Sequence, residues 1–164
     1  MKKTIIAVAL VAAFATGQAT AHSNAPHVDK KPTAAPVDAE QKDFGIAGNP
    51  VKASRTVTLS MSDNMRFSPS QINVKQGETV KFVVKNGGKL MHEMVIGTTQ
   101  ELKVHAEMMR KHPGMEHDEP YMAHVSPGKT EEIVWHFNRP GEFSFGCLVA
   151  GHFEAGMVGK ISVK

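Results

Sequence analysis

From Arg55 onward the sequence is a succession of short runs in which apolar residues alternate with polar ones. The runs are Thr56–Met61, Gln71–Lys75, Thr79–Lys85, Met91–Ile96, Tyr121–Val125, Thr130–Phe137, Glu142–Gly146 and Met157–Val163. Turn residues such as Ser68-Pro69, Gln76-Gly77 and Asn86-Gly87-Gly88 separate them. Alternation with a period of two places the apolar side chains on one face of a strand. The sequence therefore predicts an all-β sandwich of about eight short strands.

One segment interrupts this pattern. Residues 98–111 contain good helix formers and no turn residues, with Thr98 or Thr99 as a candidate N-cap and Pro113-Gly114 as a stop. These signals predict a single helix inserted between two strands.

The N-terminal residues have the features of an export signal. Lys2 and Lys3 precede an apolar run, and Ala19-Thr20-Ala21 offers small residues for a signal peptidase. The apolar run is too short to cross a bilayer, which takes about 20 residues. We therefore expect residues 1–21 to be a cleaved signal peptide, with no membrane insertion of the mature chain.

Residues 22–50 are rich in Pro, Ala, Lys and Asp and poor in large apolar residues, so they predict a disordered tail ahead of one domain at 51–164. Removing the signal peptide leaves 17 basic residues against 16 acidic ones. No run of Lys and Arg remains, and we expect no nucleic-acid partner.

Cysteine content raises the first chemical question. The chain has one cysteine, Cys147, which cannot form an internal disulfide. In an exported protein an unpaired thiol is buried and inert, paired with another chain, or bound to a metal as thiolate.

The neighbours of Cys147 favour a metal. His152 and Met157 follow it within one short loop between two predicted strands. Thiolate, two imidazoles and a weak axial thioether are the ligands of a copper ion that cycles between Cu(I) and Cu(II). His92, at the start of another predicted strand, is the best candidate for the second imidazole. Met91 and Met94 remain alternatives to Met157 as the axial ligand.

Two stretches resemble the plastocyanin/azurin type of cupredoxin. Residues 65–97, which begin with Met-Arg-Phe-Ser-Pro and include His92, resemble the first half of such a protein. The motif Cys147-x₄-His152-x₄-Met157 and the strand after it resemble the ligand loop and last strand. The resemblance implies a Greek-key fold and one blue (type 1) copper held by His92, Cys147, His152 and Met157, with one-electron redox activity. Glu93 stands where many members carry Asn, which puts the usual hydrogen bond between the ligand loops in doubt.

Methionine and histidine are also abundant around the predicted helix, at His105, Met108, Met109, His112, Met115, His117, Met122 and His124. Leu102, His105 and Met109 share a helix face and would also serve to pack the helix onto the sandwich. Because thioethers and imidazoles bind copper, an accessory copper surface with a second, weaker site is the other interpretation, with His105, Met108, Met109, His112, Met115 and His117 as its candidates. His22 and His27 add candidate ligands in the tail.

The insertion resembles that of the periplasmic copper-tolerance cupredoxins of Gram-negative bacteria, which implies a protein serving copper tolerance. With the cleaved export signal, we expect a periplasmic protein, and we expect it to be a monomer. The alternative is a soluble electron carrier between membrane redox complexes, docking its partner near His152 and Phe153 with Leu148 and Val149. We expect no enzyme, because four protein ligands leave copper no open position; slow oxidation of Cu(I) at the insertion stays open.

Overall fold

The structure is a computed structural model that describes residues 39–113, 115 and 117–164. The predicted signal peptide, the predicted tail as far as residue 38, and the candidate ligands His22 and His27 lie outside the described residues.

The described part of the chain contains ten strands and one α-helix. The strands are β1 (Ile46–Ala47), β2 (Arg55–Ser62), β3 (Arg66–Ser68), β4 (Gln71–Val74), β5 (Thr79–Asn86), β6 (His92–Gly97), β7 (Met122–Val125), β8 (Thr130–His136), β9 (Gly141–Gly146) and β10 (Val158–Val163), and the helix α1 spans Thr99–Lys111. All eight predicted strands and the helix are present. The short strands β1 and β3 were not predicted.

The strands form two sheets of five. One has the order β1-β8-β5-β2-β3 and the other the order β4-β10-β9-β6-β7. The pairs β2/β5 and β4/β10 are parallel, and the other pairs are antiparallel. Several consecutive strands, such as β3 and β4 or β5 and β6, lie in different sheets, whereas β2/β3, β6/β7 and β9/β10 pair within one sheet. The prediction of a Greek-key sandwich is confirmed.

The alternation seen in the sequence is the alternation of burial. In β4, Ile72 and Val74 are buried while Gln71 and Asn73 are exposed. The inward side chains of both sheets build one core that includes Phe82, Trp135 and Phe145. β6 differs because all its residues are buried.

Helix α1 explains the full burial of β6. A capping box between Thr98 and Glu101 starts the helix. Its residues Leu102, Ala106 and Met109 are buried in a second core with Val95, Met122 and Leu148. The packing interpretation is therefore confirmed for Leu102 and Met109. In the described part of the chain, no helix has both the length and the apolar character needed to cross a membrane.

The segment 39–50 corrects one prediction. β1 pairs with β8, and the Phe44 side chain is buried and stacks on Trp135 with ring centroids 5.3 Å apart. The Trp135 Nε1–H donates a hydrogen bond of 2.8 Å to the Phe44 carbonyl. The prediction of a disordered tail as far as residue 50 is therefore wrong from residue 39 onward. The polar composition of the segment predicted disorder, but its aromatic residue, Phe44, packs into the core.

Candidate metal centre

The predicted metal ligands come from two neighbouring strands and the loop between β9 and β10. His92 is the first residue of β6, and Cys147 directly follows β9. Because β6 and β9 are antiparallel neighbours, the start of one lies beside the end of the other. His152 returns from the loop that leads into β10. Strand pairing therefore brings residues 55 positions apart to one end of the sandwich.

The three strong candidate ligands face each other. The Cys147 Sγ lies 3.3 Å from Nδ1 of His152 and 4.0 Å from Nδ1 of His92. In the described residues, this is the one set of three His, Cys, Asp or Glu side chains whose ligand atoms all lie within 4.8 Å of one another. Thiolate and imidazole are also the strong ligands of type 1 copper. The donor set and its convergence both fit a copper ion.

Burial controls the ionisation of these groups. Cys147 and His92 are fully buried, whereas His152 is partly exposed. Burial raises the pKa of the Cys147 thiol to about 12. Burial and then the neighbouring His92 ring lower the pKa of His152 below its usual range. At neutral pH His152 therefore presents an uncharged ring with a lone pair, as a metal ligand must.

The loop that carries His152 is closed at its base. The Cys147 N–H donates to the Met157 carbonyl at 3.1 Å, and the Met157 N–H donates to the His152 carbonyl at 3.1 Å. From β3, the Arg66 guanidinium donates to the Ala155 carbonyl at 2.9 Å. These bonds hold the candidate ligands in place through the backbone.

The three methionines considered as axial ligands occupy different places. Met157 is fully buried beside Cys147 in the main core cluster. Met94 is also fully buried in that cluster, whereas Met91 is 43% exposed. The backbone bond between Met157 and Cys147 keeps Met157 as the axial candidate.

A carboxylate that sequence analysis missed orients His92. Nε2 of His92 lies 3.2 Å from Oδ1 of Asp63, in the turn after β2. The carboxylate also accepts from the backbone N–H groups of Lys89 and Leu90. These backbone bonds, and then His92, lower the pKa of Asp63. An ionised Asp63 accepts a hydrogen bond from the Nε2–H of His92, so the lone pair of His92 is on Nδ1, facing Cys147. Nothing in the sequence around Asp63 signals this contact.

Glu93 ties the two ligand segments together. Its side chain Oε1 accepts a hydrogen bond of 2.7 Å from the N–H of Leu148, and its own N–H donates to the Cys147 Sγ at 3.4 Å. Oε2 lies 3.0 Å from Nδ1 of His124. Burial raises the pKa of the Glu93 carboxyl. The hydrogen bond between the two ligand segments was in doubt because Glu93 stands where many cupredoxins carry Asn. The bond is present, and the Glu93 carboxylate accepts it from the N–H of Leu148.

The six predicted accessory residues lie at several places around α1. Nε2 of His105 and Nε2 of His117 lie 2.8 Å apart. Met109, Met115 and His117 line one cleft, and His105 and Met108 line another cavity. His112 is exposed at the end of α1. Copper binding by these residues stays a prediction.

The predicted docking patch also needs correction. Leu148 is 1% exposed and packs under α1, so it cannot contact a partner. Val149 and Phe153 are partly exposed on either side of His152 in the sequence.

Comparison with known proteins agrees with this chemistry. The model of the family described as copper binding proteins, plastocyanin/azurin family, matches residues 53–164. The Copper-resistant cuproprotein CopI of Rubrivivax gelatinosus is 47% identical over 166 residues, covering 100% of both chains. The protein of the same name from Vibrio cholerae serotype O1 is 36% identical over 171 residues, covering 99% of both.

Solved structures agree on the fold. The reduced auracyanin of Roseiflexus castenholzii superposes with a TM-score of 0.59 at 22% identity, covering 68% of this chain and 98% of that one. At this identity the likeness concerns the fold alone.

Proposed function

The chain belongs to the plastocyanin/azurin family of copper-binding proteins, and on this basis we propose that it is a periplasmic, redox-active cupredoxin that serves copper tolerance. Its copper ligands are His92, Cys147 and His152, with Met157 as the axial ligand. The observation that carries this proposal is the convergence of one thiol and two Nδ1 atoms at the buried end of the sandwich.

The surrounding residues prepare the site for metal. Asp63 leaves the Nδ1 lone pair of His92 facing Cys147, and Glu93 and Arg66 hold the two ligand segments. Copper bound there supplies one-electron exchange between Cu(I) and Cu(II). A site fixed by its own hydrogen bonds rearranges little when its charge changes, which favours electron transfer.

Periplasmic location is supported by the sequence. The basic start, the short apolar run and the small residues of Ala19-Thr20-Ala21 are the parts of an export signal. An oxidising compartment also suits a chain whose single cysteine, Cys147, is fully buried and so protected from disulfide formation.

Copper tolerance is supported by the names of the relatives, both called copper-resistant cuproproteins. The alternative is a soluble electron carrier. A specific observation favours it, because His152 is partly exposed beside Phe153 and gives a partner a short path to the copper. Both functions use the same copper site. Removing the protein would lower copper tolerance in the first case and respiratory electron flux in the second.

The test is growth in excess copper of a strain lacking the gene, complemented with the wild-type protein or with Cys147→Ser. We expect the deletion to lower copper tolerance, the wild type to restore it, and Cys147→Ser to fail at equal protein level. Unchanged growth of the deletion strain in copper would overturn the copper-tolerance proposal. If respiratory electron flux fell instead, the electron-carrier alternative would be supported.

A further inference from the structure

A second group of imidazoles lies outside the metal centre. His105 on α1, His117 in the following loop and His124 on β7 form a row, with ring centroids 4.7 Å apart for the first pair and 6.5 Å apart for the second. The contact between His124 and Glu93 connects the row to the metal centre. The proposed type 1 site makes no use of His105 and His117.

His124 supports this group and is not itself a metal ligand. Its Nδ1 lies 3.0 Å from the Glu93 carboxylate, and its Nε2 donates to the His117 carbonyl at 2.9 Å. Both ring nitrogens of His124 already have protein partners, so His124 is not counted among the ligands. Its contact instead fixes the backbone of His117.

The other two rings are placed to share an ion. The 2.8 Å between their Nε2 atoms is a hydrogen-bond distance, so one ring donates a proton to the lone pair of the other. A metal ion can take the place of that shared proton when the rings move slightly apart. Both rings are partly exposed, which leaves them free to do so. Burial and the neighbouring His117 also lower the pKa of His105, which keeps its ring neutral.

Thioethers are available beside His117, whereas His105 lines a separate cavity with Met108. His117 lines a cleft of about 560 Å³ together with Met91, Met109 and Met115. Met109 is 8% exposed and its position is explained by packing under α1. Met91 and Met115 are 43% and 40% exposed, so packing does not account for them. Long and flexible, their side chains can reach an ion held by the histidines.

We propose that His105 and His117, with the thioethers of Met91 and Met115, form a second copper site that takes Cu(I). Soft thioethers select Cu(I), and imidazole is a ligand for either oxidation state. This site goes beyond the proposed type 1 centre and shares no ligand with it.

The histidine pair is tested in full-length Cys147→Ser protein, which lacks the type 1 thiolate. Cu(I) is titrated anaerobically against bicinchoninate as the competing chelator. We expect His105→Ala/His117→Ala to bind about one equivalent less than its parent. His112→Ala, which removes an exposed histidine from the end of the same helix, should bind as the parent does. Copper bound elsewhere on the chain contributes equally to the parent and to the variants, so it does not change the difference in copper equivalents between them. Equal binding by the parent and the double variant would overturn the site.

The thioethers are tested at Met115, which is 40% exposed and lines the cleft with His117. We expect Met115→Leu to weaken Cu(I) binding relative to its parent, because leucine keeps the apolar bulk and removes the sulfur. Equal affinities would exclude Met115 as a ligand.

Folding is checked separately from the second site. His105→Ala/His117→Ala with Cys147 intact should retain the thiolate-to-copper absorption of the type 1 centre, which shows that the variant folds. If this band is retained and no copper equivalent is lost, the second site fails while the proposed function stands.

Discussion

The state of a single thiol governs metal binding at the residue scale. In the metal-free protein Cys147 is fully buried and the pKa of its thiol is about 12, so it carries its proton at neutral pH. Copper must displace that proton to gain a thiolate ligand. The Glu93 N–H directed at the sulfur favours the charged form and lowers the cost of this exchange.

Asp63 provides a test of how the imidazoles are oriented. Asp63→Ala removes the carboxylate from Nε2 of His92, so the ring loses the contact that fixes its tautomer. We expect copper affinity to fall by about 10- to 100-fold, as is usual when the partner of a metal-bound histidine is lost. The measurement is competition for Cu(II) with a chelator of known affinity.

A matched control separates this contact from a change of charge. Glu154 is an exposed carboxylate in the loop between β9 and β10. Glu154→Ala should bind copper as the wild type does. An Asp63→Ala affinity equal to that of Glu154→Ala would show that His92 needs no carboxylate.

At the scale of single elements, the segment before the sandwich has a clear structural role. Phe44 packs against Trp135 and Tyr121, with ring centroids 5.3 and 5.4 Å away. Gly45 has a φ of 127°, and a Cβ there would collide with the Trp135 indole, so only glycine fits. The segment closes the core at the edge of β8.

Phe44 therefore contributes to stability although it lies in a polar stretch. We expect Phe44→Ala to lower the free energy of unfolding of the metal-free protein by about 3–5 kcal/mol, because it leaves a cavity against Trp135. Urea denaturation followed by Trp135 fluorescence measures this change.

Val51 gives the control for Phe44. It lies in the same N-terminal stretch but is 91% exposed. Val51→Ala should change the free energy of unfolding by no more than about 0.5 kcal/mol. If Phe44→Ala unfolded at the same urea concentration as Val51→Ala, the segment would not be part of the core.

At the scale of the whole molecule, the sequence was informative wherever the pattern is local. Period-two alternation and turn residues located eight strands, and capping signals located α1. β1 and β3 have two and three residues, too few to show a period. β1 depends on pairing with β8, which is distant in sequence, and β3 depends on pairing with β2, to which a tight turn joins it.

The same distinction applies to the metal centre. Cys147 and His152 stand in one loop, so their spacing identified them, and His92 followed from the need for a second imidazole. Asp63 and the pairing of His105 with His117 arise only from tertiary contacts. Helical spacing predicted His105 and Met109 on one face of α1, but it could not show that the following loop brings His117 to His105.

The proposed copper site holds one copper ion on Cys147, His92 and His152. Its most direct test is the visible absorption spectrum and copper content of the mature protein and of Cys147→Ser, each loaded with Cu(II). We expect an intense thiolate-to-copper band in the wild type that is lost in Cys147→Ser. A wild-type protein that stays colourless with copper bound, or a band that persists in Cys147→Ser, would contradict it.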